Sequence, residues 1–421
     1  MNSKRNFLKA FIGSLVGFPL LKGLRAQYKP RIVVIGGGFG GGSCLRYLDS
    51  FSDKLNLVLV EKEQNYYTCP FSNYVVGGFR KINKNQFNYD KLKNRGIKVL
   101  RRKVTFIDSE KKKIFFADGN IVYDYLILSP GVSFKWNDID GFNKDLTNKY
   151  PVGWSGGQDV QKIYKKIDSL DDGSKIVIVP PDYPYRCPPA PYERASLIAD
   201  FLKKKKINSK ILIFDCKNSF TKSELFFSAW NKLYPDMIEW IPKSKGGKII
   251  KLDPQENQIT SESGQKIKAD FLNIIPNQKA SDLISSSNLI SDDWCKVNPK
   301  TFNLENHKKI FALGDSIDGG DMPKSAFSAN SQAKVCAENL LNTIFEKRLL
   351  NPVFLNTCYS LAAENYGFAI SSWYRVSNYD NRIVSLGSRS SPTKSENILR
   401  IKEAKESYQW YESITDEIFG A

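Results

Sequence analysis

Two kinds of residue in this chain have types and spacings that could do chemistry: glycines that bring backbone close to a phosphate, and cysteines that can exchange sulfur and electrons. Gly36-x-Gly38-x-x-Gly41 follows an apolar run from Arg31 to Ile35, and Glu61 stands twenty residues after Gly41. A strand, a glycine turn and a helix beginning near Gly42 would let the backbone approach a pyrophosphate. The helix N-terminus stabilises its charge and the acid accepts from ribose hydroxyls. A second strand-to-helix layout, "KIVIVPPDYPYRCPPAPYERAS" from Lys175 to Ser196, has prolines and Cys187 where a turn of this kind has glycines. Proline removes the N–H donors a phosphate needs, and side chains block the close approach that glycine permits. Nicotinamide binding is therefore not expected there. Reducing equivalents must enter by another route, which Cys187 suggests.

Near the other end, the buried run Ile310 to Leu313 ends in Gly314-Asp315, and a helix is expected from about Ser328. This resembles the second flavin fingerprint of two-dinucleotide-domain flavoproteins. There the aspartate binds the ribityl chain and the helix aims its positive end at the flavin. FAD is thus the expected ligand of Gly36, Gly38, Gly41 and Glu61, with Gly314 and Asp315 completing its site.

These residues must be positioned by alternating strands and helices. Besides the runs already named, "LNLVLVEK", "VYDYLILSPGVSF", "SKILIFDCK" and "DFLNIIPNQKA" read as strands of doubly wound sheets. The expected fold class is α/β, with two Rossmann-like dinucleotide-binding domains of the glutathione-reductase kind and a small C-terminal α+β domain. The FAD-binding domain is expected at 28–140 and 277–345, and the second Rossmann-like domain, without a nicotinamide-binding glycine turn, at 141–276. The aromatic-rich 346–421 would form the C-terminal domain at the flavin and partner interface.

The 421 residues carry 41% hydrophobic and 25% charged side chains and a net charge of +18. That is a globular composition, and its basic excess suits small anions or an acidic protein partner. No motif interleaves aromatics with the basic runs as nucleic-acid binding would require. Residues 1–26 have a basic start, an apolar stretch from Ala10 to Leu21 too short to span a bilayer, and a small residue at Ala26. They read as a removable export signal, and "SKRNFLK" is similar to the twin-arginine motif with Lys4 in place of the first arginine. The expected location is the periplasm, with no transmembrane segment in the mature chain. Export permits disulfides, although seven cysteines leave at least one unpaired. Cys44, Cys336, Cys216 and Cys295 read as inert. With the single His307 and no C-x-x-C-H, the chain cannot carry its own c-type haem, and no metal site is expected.

Four longer stretches, "NYYTCPFSNYVVGG", "YRCPPAPYERAS", "MPKSAFSANSQAK" and "FLNTCYS", resemble the flavoprotein subunit of flavocytochrome c sulfide dehydrogenases. These enzymes are relatives of sulfide:quinone oxidoreductases. The resemblance implies that Cys69 matches the cysteine joined by a thioether to the flavin, with Pro70-Phe71 a departure beside it. It implies that Cys187 and Cys358 form a redox disulfide, and that Glu193 and Trp410 line the site. Arg186 and nearby basic charge would favour a thiolate or an incoming anion there, and Cys358 would be the thiolate next to the ring. The implied reaction oxidises sulfide to zero-valent sulfur or polysulfide and passes electrons singly to a c-type cytochrome subunit that carries the haem. Three alternatives stay open: a sulfide:quinone oxidoreductase, a non-catalytic flavoprotein partner in a sulfur-oxidation complex, and an NADH-dependent reductase, which the missing glycines disfavour.

Overall fold

The computed structural model describes residues 28–420, so the export signal expected in 1–26 lies outside the described residues. Two parallel sheets form the frame. The first runs Ile310–Ala312, Tyr125–Leu128, Arg31–Ile35, Asn56–Val60 and Lys98–Leu100 in spatial order. The second runs Ile238–Ile241, Lys210–Phe214, Lys175–Val179 and Phe271–Ile274. Their central strands are continuous Ile, Val and Leu runs, the pattern of sheets covered by helices on both faces, and Ile32, Val33, Val34, Ile176, Val177 and Ile178 are fully buried. In such sheets ligands sit beyond the carboxyl ends of the strands. Gly36, Glu61, Gly314 and the proline loop all follow those ends.

The helix after the glycine turn is Phe39–Asp49, starting three residues before the expected Gly42. The glycines belong to its first turn because there is no room for anything larger. A Cβ on Gly40 would come within 2.5 Å of Leu313 Cδ1, one on Gly41 within 2.0 Å of the Gly36 carbonyl, and one on Gly42 within 2.5 Å of Ile418 Cγ2. The helix after Gly314-Asp315, Ala326–Ile344, also begins early. Ser325 caps it, its Oγ accepting from the Ser328 N–H at 3.0 Å.

After these sheets come three antiparallel strands, Val353–Ala363, Tyr366–Val376 and Ile383–Ser390, and a long helix, Asn397–Phe419. That helix returns to the helix Phe39–Asp49 beside the first sheet. Phe419 stacks on Tyr66 with ring centroids 5.5 Å apart and on Phe87 at 4.9 Å, and the Glu417 carbonyl accepts from Arg46 Nε. No helix among the described residues is long and apolar enough to cross a membrane.

Candidate functional site

A cavity runs along the strand ends and is lined by Gly36, Gly38, Glu61, Cys69, Gly314 and Asp315. Gly36 sits at φ +94°, and a Cβ on it would lie 2.3 Å from the Ser129 carbonyl, so only glycine makes this turn. The Glu61 carboxylate is fixed by the Gly37 and Glu63 N–H groups, each at 3.0 Å, and keeps lone pairs facing the cavity. Asp315 Oδ2 accepts from Arg186 Nε at 2.7 Å, while its buried Oδ1 has no partner. A buried carboxylate oxygen left unpaired on a cavity wall is unfavourable unless a ligand donor meets it. The residues therefore fit FAD: the glycine turn for the diphosphate, Glu61 for the ribose, Asp315 for the ribityl hydroxyls. Gly41 lies beneath this cradle, its Cβ position filled by the turn itself.

Cys69 lies where this cavity joins a smaller one. Its thiol donates to the Trp154 carbonyl at 3.2 Å and accepts from Arg186 Nη1 at 3.1 Å. The neighbouring Pro70-Phe71 pairing tethers the loop. Phe71, at φ +67°, is buried with its ring 4.0 Å from Tyr74 and 4.3 Å from Tyr411, while Thr68 Oγ1 bonds the Tyr411 hydroxyl at 2.8 Å.

The smaller cavity is lined by Cys187, Cys358, Glu193 and Trp410 together. Cys187 sits in the proline loop at φ +55°, its N–H donating to the Lys324 carbonyl at 2.8 Å. Cys358 comes from the strand Val353–Ala363, so the loop and the strand bring two distant cysteines side by side. Both carry free thiols in this structure. A hydrogen bond from Cys187 and the Lys222 ammonium lower the Cys358 thiol to about 6, while Cys187 is raised by that same hydrogen bond and by burial. Arg186 spans Asp315 and Cys69 and lines the smaller cavity with the two cysteines, while Lys222 is the cation hydrogen-bonded to the Cys358 carbonyl. Cys187 lines both cavities and Cys358 the smaller one.

Glu193, on the helix Ala190–Lys204, accepts from Asn73 Nδ2 at 2.8 Å and from the Leu361 N–H at 2.9 Å. Burial raises it to about 7, where a carboxyl group can exchange protons at neutral pH. Next to it, Arg194 is buried and donates to Asn73 Oδ1, Asn273 Oδ1 and the Val152 and Gly153 carbonyls. The Trp410 indole N–H is buried without a partner. Asn73 and Lys222 carry no motif of their own. Asn73 was within reach of sequence reasoning only because it falls in the "CPFSNYVV" stretch.

The second sheet's strand end holds a buried acid with partners of its own. Asp215 follows Lys210–Phe214, where a dinucleotide fold places its ribose-binding acid, and it is fully buried. Its oxygens accept from Tyr192 Oη at 2.5 Å and Trp240 Nε1 at 2.9 Å and pair with Lys217 Nζ at 2.7 Å. Lys217 also donates to the Pro181 carbonyl at 2.6 Å and lies over the Tyr183 and Tyr185 rings. The acid is satisfied from within the chain.

Comparison with known proteins gives a consistent frame. Models described as the central part of the sulfide dehydrogenase (flavocytochrome c) flavoprotein chain and as the flavin-binding part of flavocytochrome c sulphide dehydrogenase match residues 160–276 and 350–419. The pyridine nucleotide-disulphide oxidoreductase model matches 30–179. The sulfide dehydrogenase flavoprotein chain of Chlorobaculum thiosulfatiphilum is 49% identical over 45 residues, which are 11% of this chain and 94% of that sequence. The mitochondrial sulfide:quinone oxidoreductase of Dictyostelium discoideum is 25% identical over 74% of this chain and 70% of its own length. The solved sulfide:quinone oxidoreductase of Aquifex aeolicus superposes with a TM-score of 0.71 over 93% of both chains at 15% identity, a likeness of fold.

Proposed function

The chain belongs to the family of flavocytochrome c sulfide dehydrogenase flavoprotein chains, a sulfide-oxidising flavoprotein oxidoreductase, and from that premise we propose that Cys187 and Cys358 form the disulfide that accepts sulfide. The observation that carries the reading is the shared wall: two cysteines side by side, at the edge of the cavity that fits FAD, beside a carboxyl poised near neutral pH.

Hydrosulfide attacks Cys187 Sγ. The new S–S bond leaves a persulfide on Cys187, and the electron pair of the broken bond goes to Cys358 Sγ. The lower-pKa thiolate leaves faster, which favours this direction. Glu193, ionised, takes the proton that incoming hydrogen sulfide or the persulfide gives up. Trp410 offers its N–H to the anionic sulfur. FAD, when bound, supplies a two-electron acceptor that can release electrons one at a time, as a haem requires.

Cys69 is proposed to hold the FAD covalently, since it lies at the junction of the two cavities. The proposed acceptor is a separate c-type cytochrome subunit, because the sequence has no haem attachment motif, and the proposed location is the periplasm. Fractionation that found uncleaved protein in the cytoplasm would count against that location. Anaerobic titration of the purified protein with sulfide tests the core of the reading. The flavin should bleach with sulfide alone and recolour when a c-type cytochrome is added. No bleaching would defeat the sulfide reading. Recolouring by a quinone analogue but not by cytochrome would favour the quinone-linked alternative.

A further inference from the structure

Lys222 stands just before the helix Ser223–Leu233 at φ +64°, a left-handed conformation that residues other than glycine rarely adopt. From there its side chain reaches the strand Val353–Ala363. Nζ donates to the Cys358 carbonyl at 2.6 Å and to Ser360 Oγ at 2.9 Å, with Phe368 at 5.8 Å under the ammonium. Both acceptors are neutral, so these bonds leave the positive charge unmatched. The charge acts on Cys358 and on Glu193. The groups facing Cys358 are Cys187 from the proline loop, Glu193 from the helix Ala190–Lys204, Lys222, and Tyr374 from the adjacent strand, and Arg186 and Arg194 line the same cavity. Of these cations, Lys222 is the one hydrogen-bonded to the strand that carries Cys358 and acting on its thiol.

We propose that Lys222 is the positioning residue of the sulfur pair: tethered to the Cys358 carbonyl and the Ser360 hydroxyl, it holds a fixed positive charge beside Cys358 so that this cysteine, and not Cys187, departs as the thiolate. The inference rests on the disulfide reading above and adds a direction to it. When hydrosulfide bonds to Cys187, the electron pair of the broken bond must settle on Cys358, and an ammonium beside that strand stabilises it there. With the charge gone, either sulfur could leave and the persulfide would divide between the two cysteines.

The test reads the thiol itself. The reduced protein is alkylated with iodoacetamide between pH 5 and pH 9, and peptide mass spectrometry follows Cys358 in a Cys187→Ser background. Lys222→Gln keeps donors for both acceptors and loses only the charge, Lys222→Met loses both, and Lys222→Arg keeps the charge. Both neutral variants should move the Cys358 midpoint upward by about one pH unit, a tenfold loss of reactivity on the acid side, while Lys222→Arg stays with the parent. A shift below about half a unit in the neutral variants overturns the proposal. So does failure of both to fold, because Lys222 would then be a structural tether. If the midpoint shifts but sulfide never bleaches the wild-type flavin, the disulfide reading fails and the role of Lys222 in setting the thiolate survives.

Discussion

At the scale of single residues, the site depends on a few groups whose protons are displaced from their ordinary positions. Glu193 binds its proton more tightly in the folded protein, with a value near 7 against about 4.3 for a free glutamate. Between those values the native state holds a proton that the unfolded chain has lost, so stability falls as pH rises through this window. The contribution is of the order of 3 kcal/mol, fully present below the unfolded value and gone above about pH 7. Glu193→Gln should flatten that part of the melting-temperature profile. It should also slow flavin reduction by sulfide, by about 10²- to 10⁴-fold, as loss of a general base does. An unchanged rate would remove Glu193 from the proton path. Cys187→Ser and Cys358→Ser should each abolish reduction by sulfide while dithionite still bleaches the flavin. A merely structural disulfide would instead show as lost stability, about 2–5 kcal/mol, with sulfide reduction retained in the folded fraction.

At the scale of elements, strands and turns were far more legible in the sequence than the contacts between distant segments. The apolar runs Arg31–Ile35, Lys175–Val179 and Lys210–Phe214 could be read because buried parallel strands are continuous hydrophobic stretches, and Gly36 could be read because its turn admits nothing else. Glu193 and Trp410 were reached only through resemblance, since neither sits in a motif with its own physical signature. Lys222 shows the limit. Which cation faces which sulfur depends on how a helix start, a loop and a strand are docked, and local sequence does not encode that. The Cys69 loop carries one prediction. Acid precipitation should leave the yellow colour in the protein pellet, and Cys69→Ala should release it to the supernatant. Free FAD in the wild-type supernatant would sink the thioether while leaving FAD binding intact. The Asp215 cluster carries another: NADH and NADPH should not reduce the flavin. Asp215→Asn would leave Lys217 buried without its partner and should cost about 3–5 kcal/mol, readable as a lowered denaturant midpoint, without opening the site to NADH. Rapid bleaching by NADH under anaerobic conditions would contradict this assignment of the second sheet.

At the scale of the whole molecule, the Asn397–Phe419 helix joins the last described elements to the first. Ile418 fills the space above Gly42, Phe419 lies against Tyr66 and Phe87, and Glu417 pairs with Lys334 while bonding Asn330 on the helix Ala326–Ile344. Phe419→Ala should therefore cost about 3–5 kcal/mol, detected as a lower melting temperature, and loosen the flavin, detected in a Cys69→Ala background as a lower FAD content after gel filtration. Retention of full FAD content in that background by a variant truncated after Ser413 would show that the helix is dispensable to the cradle. The fold class was legible in the sequence as a whole, but this return was not, because Ile418 and Gly42 are linked by shape alone. The return also has a consequence for timing. A ribosome adds about 5–20 residues per second, so a chain of this length leaves its glycine turn waiting some tens of seconds for the residues that brace it. The expected consequence is that the cofactor is gripped firmly only once Asn397–Phe419 has been made. Messages truncated before that helix, or chains stalled within it, should yield protein whose two sheets are complete and which takes up less flavin, and a cell could distinguish braced from unbraced copies by colour alone.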